Sequence, residues 1–218
     1  MNKIQENDLK EFVDTFELAE DISDSIFLIT GATGLIGSTL IHCLLALHKD
    51  INIIAPVRNA GKAREMYSAD ELKNIRLIEC DIVKYDYNQL NDVDFIVHCA
   101  APTASKFFVE HPVETFNIIL DGTKVLLDYA KNHSVKGFVY LSSLEVYGEI
   151  QDDSSPVTED VQGYLDVMSV RSSYPMAKRA SENACCLYAC EFNVPVMVAR
   201  LTQTTGAGIA KDDNRVIA

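Results

Sequence analysis

The sequence is poor in basic residues, has no Cys-x-x-Cys pair and holds no apolar run of membrane-spanning length. Each shortage removes a class of function. Lys and Arg number 19 against 32 Asp and Glu, a net charge of −13. Nucleic acid and anionic bilayers both need a basic face, so neither is expected as a partner. The six cysteines, Cys43, Cys80, Cys99, Cys185, Cys186 and Cys190, lack the paired spacing of a zinc or redox motif. Cys186 and Cys190 share helical spacing, but no neighbouring cluster completes a site, so all six read as reduced, packed thiols and no metal is expected. The opening Met-Asn-Lys-Ile-Gln-Glu carries no signal-peptide pattern, which points to a soluble, cytoplasmic chain. Internal repeats and low-complexity tracts are also missing.

What is present is ordinary globular material. Of 218 residues, 48% are apolar and 23% charged, enough for one sizeable domain or one domain with part of a second. Residues 4–20 set Ile4, Leu9, Phe12, Val13, Phe16 and Leu18 among acids, the pattern of an amphipathic helix, and Asp21 to Ser25 reads as a linker. Apolar, strand-like runs recur at 26–30, 51–57, 75–79, 94–99, 137–142 and 195–200, with helical patterns near 35–48, 61–67, 112–132 and 174–192. Alternating β and α units with apolar strands predict an α/β fold, a doubly wound parallel sheet with helices on both faces. Ligands of such sheets bind outside the carboxyl ends of the strands. Gln151 to Asp160 reads as a polar surface loop.

The most informative stretch is Thr30-Gly31-Ala32-Thr33-Gly34-Leu35-Ile36-Gly37, directly behind the strand Ile26-Phe27-Leu28-Ile29. Glycines between a strand and a helix let the backbone approach a pyrophosphate, whose charge sits on the free N–H groups at the helix start. The spacing is G-x-x-G-x-x-G, and a simple tight turn is the alternative. A second signal is Tyr174-Pro175-Met176-Ala177-Lys178, which puts Tyr and Lys on one helix face. A phenol, with an ordinary pKa near ~10, is a poor base at neutral pH, and a neighbouring ammonium favours the phenolate. Such a phenol shuttles a proton to or from a hydroxyl. Ser142-Ser143 closes the apolar run from Gly137, where a hydroxyl can bond the reacting oxygen.

With these residues in order, the chain resembles the extended short-chain dehydrogenase/reductase family, the nucleotide-sugar epimerases and dehydratases, from about Ile26 to Gly208. The motifs are T-G-A-T-G-L-I-G, Asp81-Ile82, His98-Cys99-Ala100-Ala101, Ser142-Ser143-Leu144-Glu145-Val146-Tyr147-Gly148, and Tyr174 to Lys178. The resemblance implies a Rossmann-like domain over 26–208, preceded by a helical extension and linker (1–25) and followed at 209–218 by the start of a substrate lobe that is mostly missing. It implies a dinucleotide held by Gly31, Thr33, Gly34, Leu35, Ile36 and Gly37, with Asp81 and Ile82 at the adenine and Ala100 and Ala101 along the trough. Ser143 is then the catalytic hydroxyl, Tyr174 the acid/base, and Lys178 its partner and a ligand of the nicotinamide ribose. A homodimer through the helix 112–132 and the tyrosine-bearing helix is also implied.

Departures from the family pattern leave the reaction open. Glu145 resembles the glutamate of the 4,6-dehydratases and the UDP-glucuronate decarboxylases, where a carboxylate can remove the proton α to a transient ketone. Leu144 stands where the dehydratases commonly carry the proton-donating Asp. Arg171, three residues before Tyr174, resembles the decarboxylase segment and is a candidate substrate ligand with Ser143; a solvated carboxylate and a surface charge are the plain alternatives for Glu145 and Arg171. Gln203 sits where an asparagine commonly meets the nucleotide-sugar phosphates, and Ala207 replaces a proline. Arg58 occupies the usual place of the acid that bonds the ribose 2′-hydroxyl, about 20 residues beyond the glycines, so the cofactor is NAD or NADP. His98 is expected to pack at a strand end and not to act as a base. The expected substrate is a UDP- or dTDP-linked sugar. The alternatives are an NADPH-dependent reductase of a small carbonyl compound and a non-catalytic dinucleotide-binding domain.

Overall fold

The structure, a computed structural model, describes residues 2–151 and 155–209. Its centre is a six-stranded sheet: β1 (Ile26–Thr30), β2 (Asn52–Val57), β3 (Ile75–Glu79), β4 (Phe95–His98), β5 (Gly137–Ser143) and β6 (Val196–Leu201). The strands lie in the order β3-β2-β1-β4-β5-β6, and every neighbouring pair is parallel. The order reverses beside β1, so β2 and β4 flank it and the chain leaves β1 and β4 on opposite sides of one crevice. That switch point is where doubly wound sheets take their ligands.

Alternation along the strands explains the two covered faces. Phe27 and Ile29 of β1, with Ile53, Ala55 and Val57 of β2, pack with Ile41 and Leu44 of α2 (Leu35–Ala46) and with Ala60 and Ala63 of α3 (Ala60–Arg64). Leu28, Ile54, Ile96, Phe138 and Tyr140 point the other way, against Leu126 and Leu127 of α5 (Pro112–Asn132) and Cys185 of α6 (Ser173–Phe192). Leu28 and Ile29 are both fully buried, although adjacent, because each faces a different helical layer. Burying one such side chain contributes about 2 kcal/mol. A third, smaller cluster of Phe108, Ile119, Tyr174 and Ala177 lies where α4 (Ser105–Glu110), α5 and α6 meet.

The elements match the sequence pattern most closely in the strands and least at helix ends. The amphipathic helix expected over 4–20 is α1, Lys3–Thr15, started by an Asn2–Gln5 capping box. It ends early because Phe16 leaves the helical conformation and stacks on Phe12, both rings packing on the first core layer. The helix expected over 61–67 is the five-residue α3, since Tyr67 turns inward and is buried. Six residues form α4, which the sequence reading did not anticipate. The packed-thiol reading fails for Cys186 and Cys190: both are free but exposed on α6, on the side turned away from the core that holds Cys185. Of the loop expected at 151–160, residues 152–154 lie outside the described residues and Ser155–Asp160 are exposed. Residues 210–218, most of the expected lobe start, also lie outside them. Among the described residues no helix is long and apolar enough to cross a membrane, and no group of His, Cys, Asp and Glu is placed to hold a metal.

Candidate active site

The glycine turn is built by close packing. Gly31 has φ of +72°, which side-chain-bearing residues rarely adopt, and a Cβ there would lie 2.9 Å from the Ala100 nitrogen. A Cβ on Gly37 would lie 2.3 Å from the Gly31 carbonyl oxygen. Gly31 therefore lets the turn approach the end of β4, and Gly37 lets α2 seat on the turn. Gly34 is the N-cap of α2 and supplies no side-chain acceptor to its first amides. Those amides, at the positive end of a twelve-residue helix, suit a phosphate. Thr33 and Gly34 are exposed above them, with Leu35 and Ile36 half-buried. These residues fit a pyrophosphate. Substituting Gly37→Ala forces backbone to move, so it should destabilise the fold by about 1–3 kcal/mol, the usual cost of overpacking. Thermal unfolding with and without NAD measures this: the melting temperature should fall and the shift on adding NAD should shrink.

Contacts unseen from local pattern hold the turn in place. Tyr67, buried at 5% exposure, donates its hydroxyl to the Ala32 carbonyl at 2.6 Å. Its ring packs on His42, which bonds Glu71. Across the crevice, Ala100 N–H donates to Thr30 Oγ1 at 3.1 Å, and Thr30 Oγ1 is 2.7 Å from His98 Nδ1. His98 is wholly buried, and burial, aided by the Lys178 charge, pushes its pKa down to about 3. It is a neutral packing residue at neutral pH, as the sequence reading has it. Ala100 and Ala101 follow it, both half-buried. Asp81 is exposed beyond β3 with Oδ1 on the Val83 amide at 3.0 Å, and Ile82 reaches towards Gly122 of α5. Arg58 is exposed at the end of β2.

On the other side of the crevice the structure brings Ser143, Glu145, Arg171, Tyr174 and Lys178 together at the carboxyl end of β5 and the start of α6. Ser143 ends β5 and accepts the Glu145 N–H on its hydroxyl at 3.2 Å, capping the short turn Leu144–Tyr147. Tyr174, 8% exposed, stacks on Phe108 with ring centroids 4.4 Å apart and planes at 11°. Lys178 is 4% exposed; its Nζ donates to the Leu141 carbonyl at 2.7 Å and lies 5.8 Å from the Tyr174 ring centroid. Burial pulls its pKa down to about 8, so at neutral pH it still carries its charge.

Glu145 and Arg171 form the most distinctive contact. Arg171 donates Nη1 to Oε2 at 2.9 Å and Nη2 to Oε1 at 3.0 Å, a fork that uses both carboxylate oxygens. The side chains keep 42% and 30% of their surfaces exposed, and the guanidinium also lies over the Phe108 ring. Neither residue is an isolated solvated charge. Leu144, beside Glu145, is exposed and carries no proton to donate. Gln203 is exposed beyond the end of β6.

Three supporting residues escaped the sequence reading. Phe108 comes from α4, too short to show a period. Arg179, next to Lys178, donates to the carbonyls of Val146 at 2.6 Å, Gly163 at 2.9 Å and Tyr147 at 3.3 Å, and so fastens the turn that carries Glu145 to α6. Arg200 forks Glu182 of α6 and lies over the Tyr147 ring. The targets of the two arginines, backbone carbonyls and Glu182, lie distant along the chain and leave no local signal.

A family model described as the NAD dependent epimerase/dehydratase family matches residues 27–218. Among curated proteins, UDP-glucuronic acid decarboxylase 1 of Danio rerio is 29% identical over 191 residues, covering 88% of this chain and 44% of its own length. UDP-glucuronic acid decarboxylase 6 of Arabidopsis thaliana is 30% identical over 199 residues, covering 90% and 55%. Among solved structures, the UDP-glucuronic acid 4-epimerase of Bacillus cereus in complex with UDP-glucuronic acid and NAD superposes with a TM-score of 0.68 at 26% identity, covering 80% of this chain and 55% of that one. The chain thus spans about half the length of the relatives it matches.

Proposed function

The chain belongs to the NAD-dependent epimerase/dehydratase family, and from that premise we propose that it acts with NAD on a UDP-linked sugar acid, oxidising the sugar transiently and removing its carboxylate as CO₂. The observation that carries this reading is the Arg171–Glu145 fork beside Ser143 and Tyr174. An arginine already arranged to grip a carboxylate in two places suits a substrate that brings a carboxylate of its own.

Each residue then has a task. Ser143 holds the sugar hydroxyl, Tyr174 removes its proton, and the Lys178 ammonium favours the phenolate that does so. NAD, when bound, supplies the acceptor and donor of the hydride. Gly31, Gly34 and the first amides of α2 hold the pyrophosphate, Asp81 and Ile82 the adenine, and Ala100 and Ala101 the trough. Arg171 orients the sugar carboxylate. Once the neighbouring carbon is a ketone, the electron pair of the breaking C–C bond is received as an enolate and CO₂ leaves. Glu145, once released from Arg171, gives the proton that the resulting carbon takes up. Dehydration is the weaker reading because Leu144 cannot protonate a departing hydroxyl. A 4-epimerisation of the same acid is the second reading, supported by the likeness to the Bacillus cereus enzyme.

Mass spectrometry of UDP-glucuronate incubated with the protein and NAD tests this. A product lighter by one CO₂ is the expected result. An unchanged mass at a new retention time would establish epimerisation instead. Loss of water from UDP- or dTDP-glucose, or no change in any sugar nucleotide, would overturn the proposal.

A further inference from the structure

Doubly wound dinucleotide sites usually carry an acid at the end of β2, where it accepts a hydrogen bond from the ribose 2′-hydroxyl and repels a 2′-phosphate. Here Arg58 occupies that place, and a cation there favours a phosphate. The strand register brings an acid from elsewhere. We propose that Glu79, the last residue of β3, supplies the missing carboxylate and makes the site select NAD over NADP in spite of Arg58. The inference rests on the reading that this chain binds a nicotinamide dinucleotide.

Val57 of β2 is the register partner of Glu79. The Glu79 side chain is exposed there, but it is held by a backbone hydrogen bond. Its Oε2 accepts the Ala60 N–H at 2.7 Å, across the turn Arg58-Asn59-Ala60 that leaves β2. One full negative charge is thereby fixed on the turn where the 2′-group of a dinucleotide lies. Arg58 does not cancel it, since among the described residues the two form no ion pair. Beside it, Asn59 Oδ1 accepts the Lys62 N–H at 2.8 Å and so holds the start of α3 to the same turn. Asp81, two residues after Glu79, is a second exposed carboxylate, loosely paired with Lys84 at 3.7 Å. A 2′-phosphate would meet the exposed Arg58 guanidinium but also the Glu79 carboxylate held on the same turn. A 2′-hydroxyl can donate to the remaining oxygen of Glu79 without penalty. Like charges brought together at a recognition surface disfavour the 2′-phosphate, and a single exposed Arg returns little against them.

Calorimetric titration of the whole chain with NAD and NADP tests the assignment, using wild type, Glu79→Gln and Arg58→Gln. Wild type should bind NAD at least about tenfold more tightly than NADP. Glu79→Gln keeps an acceptor for Ala60 N–H, so it should melt within a few degrees of wild type while its preference for NAD shrinks about tenfold, chiefly by tighter NADP binding. Arg58→Gln should weaken NADP further and leave NAD within about twofold. A wild type that prefers NADP, or a Glu79→Gln variant with an unchanged preference, overturns the inference while leaving dinucleotide binding intact. Failure of wild type to bind either dinucleotide overturns both the inference and the proposed function.

Discussion

Replacing Tyr174 by Phe should lower the turnover of UDP-glucuronate by about 10³-fold, within the range that a positioned acid/base contributes, while leaving the NAD dissociation constant within about twofold. The geometry makes this a clean substitution. The Tyr174 ring is held by its stack on Phe108, at 4.4 Å and 11°, and a phenylalanine keeps that stack and the packing with Ile119 and Ala177. Only the hydroxyl goes. Lys178 remains buried, bonded to the Leu141 carbonyl, and still charged at neutral pH with its pKa near 8. Steady-state kinetics by product mass, with NAD titration and a melting curve, check the three parts of the statement. A variant with more than a tenth of wild-type turnover would remove Tyr174 from the chemistry and return it to the core.

The rest of the site shows why some of it was legible in sequence. A strand buried on both faces must be an apolar run, so Ile26–Thr30 and its neighbours Asn52–Val57 and Phe95–His98 stood out without any knowledge of their order. Gly31 and Gly37 stood out because the turn needs a positive φ at one and bare backbone at the other. What stayed hidden depends on strand order and on contacts far along the chain. The tie from Tyr67 to Ala32 and the three carbonyl bonds of Arg179 join segments whose adjacency no local period encodes. Glu79 is the sharpest case. Read along the chain it is a polar residue at a strand end; read across the sheet it is the acid that the end of β2 lacks. Helix ends were misplaced for a related reason: Phe16 and Tyr67 leave helical geometry to pack on the first core layer, and tertiary packing outweighs the weak local preference that would continue the helix.

Arg171→Met should raise KM for UDP-glucuronate about a hundredfold, roughly 2–3 kcal/mol of lost charge-assisted hydrogen bonding, and leave the affinity for UDP-glucose, whose sugar carries no carboxylate, within about threefold. The argument turns on how loosely Arg171 is committed. Its fork on Glu145 is well formed, but 42% of the Arg171 side chain and 30% of Glu145 remain exposed. An ion pair so open to water adds at most about 1 kcal/mol to stability. Breaking it should therefore hardly move the melting temperature, and exchanging one carboxylate for another costs little. A substrate carboxylate can take over the guanidinium, with the Phe108 face behind it keeping the side chain in place. On the proposed reading the exchange frees Glu145 as the sugar binds, so Glu145→Gln should act differently: KM nearly unchanged and turnover lower by about a hundredfold, within the usual range for a lost acid/base group. The two variants separate binding from chemistry within one ion pair. If both raised KM equally for UDP-glucuronate and UDP-glucose, the pair would be a brace for the turn Leu144–Tyr147, and the carboxylate-bearing substrate would lose its receptor.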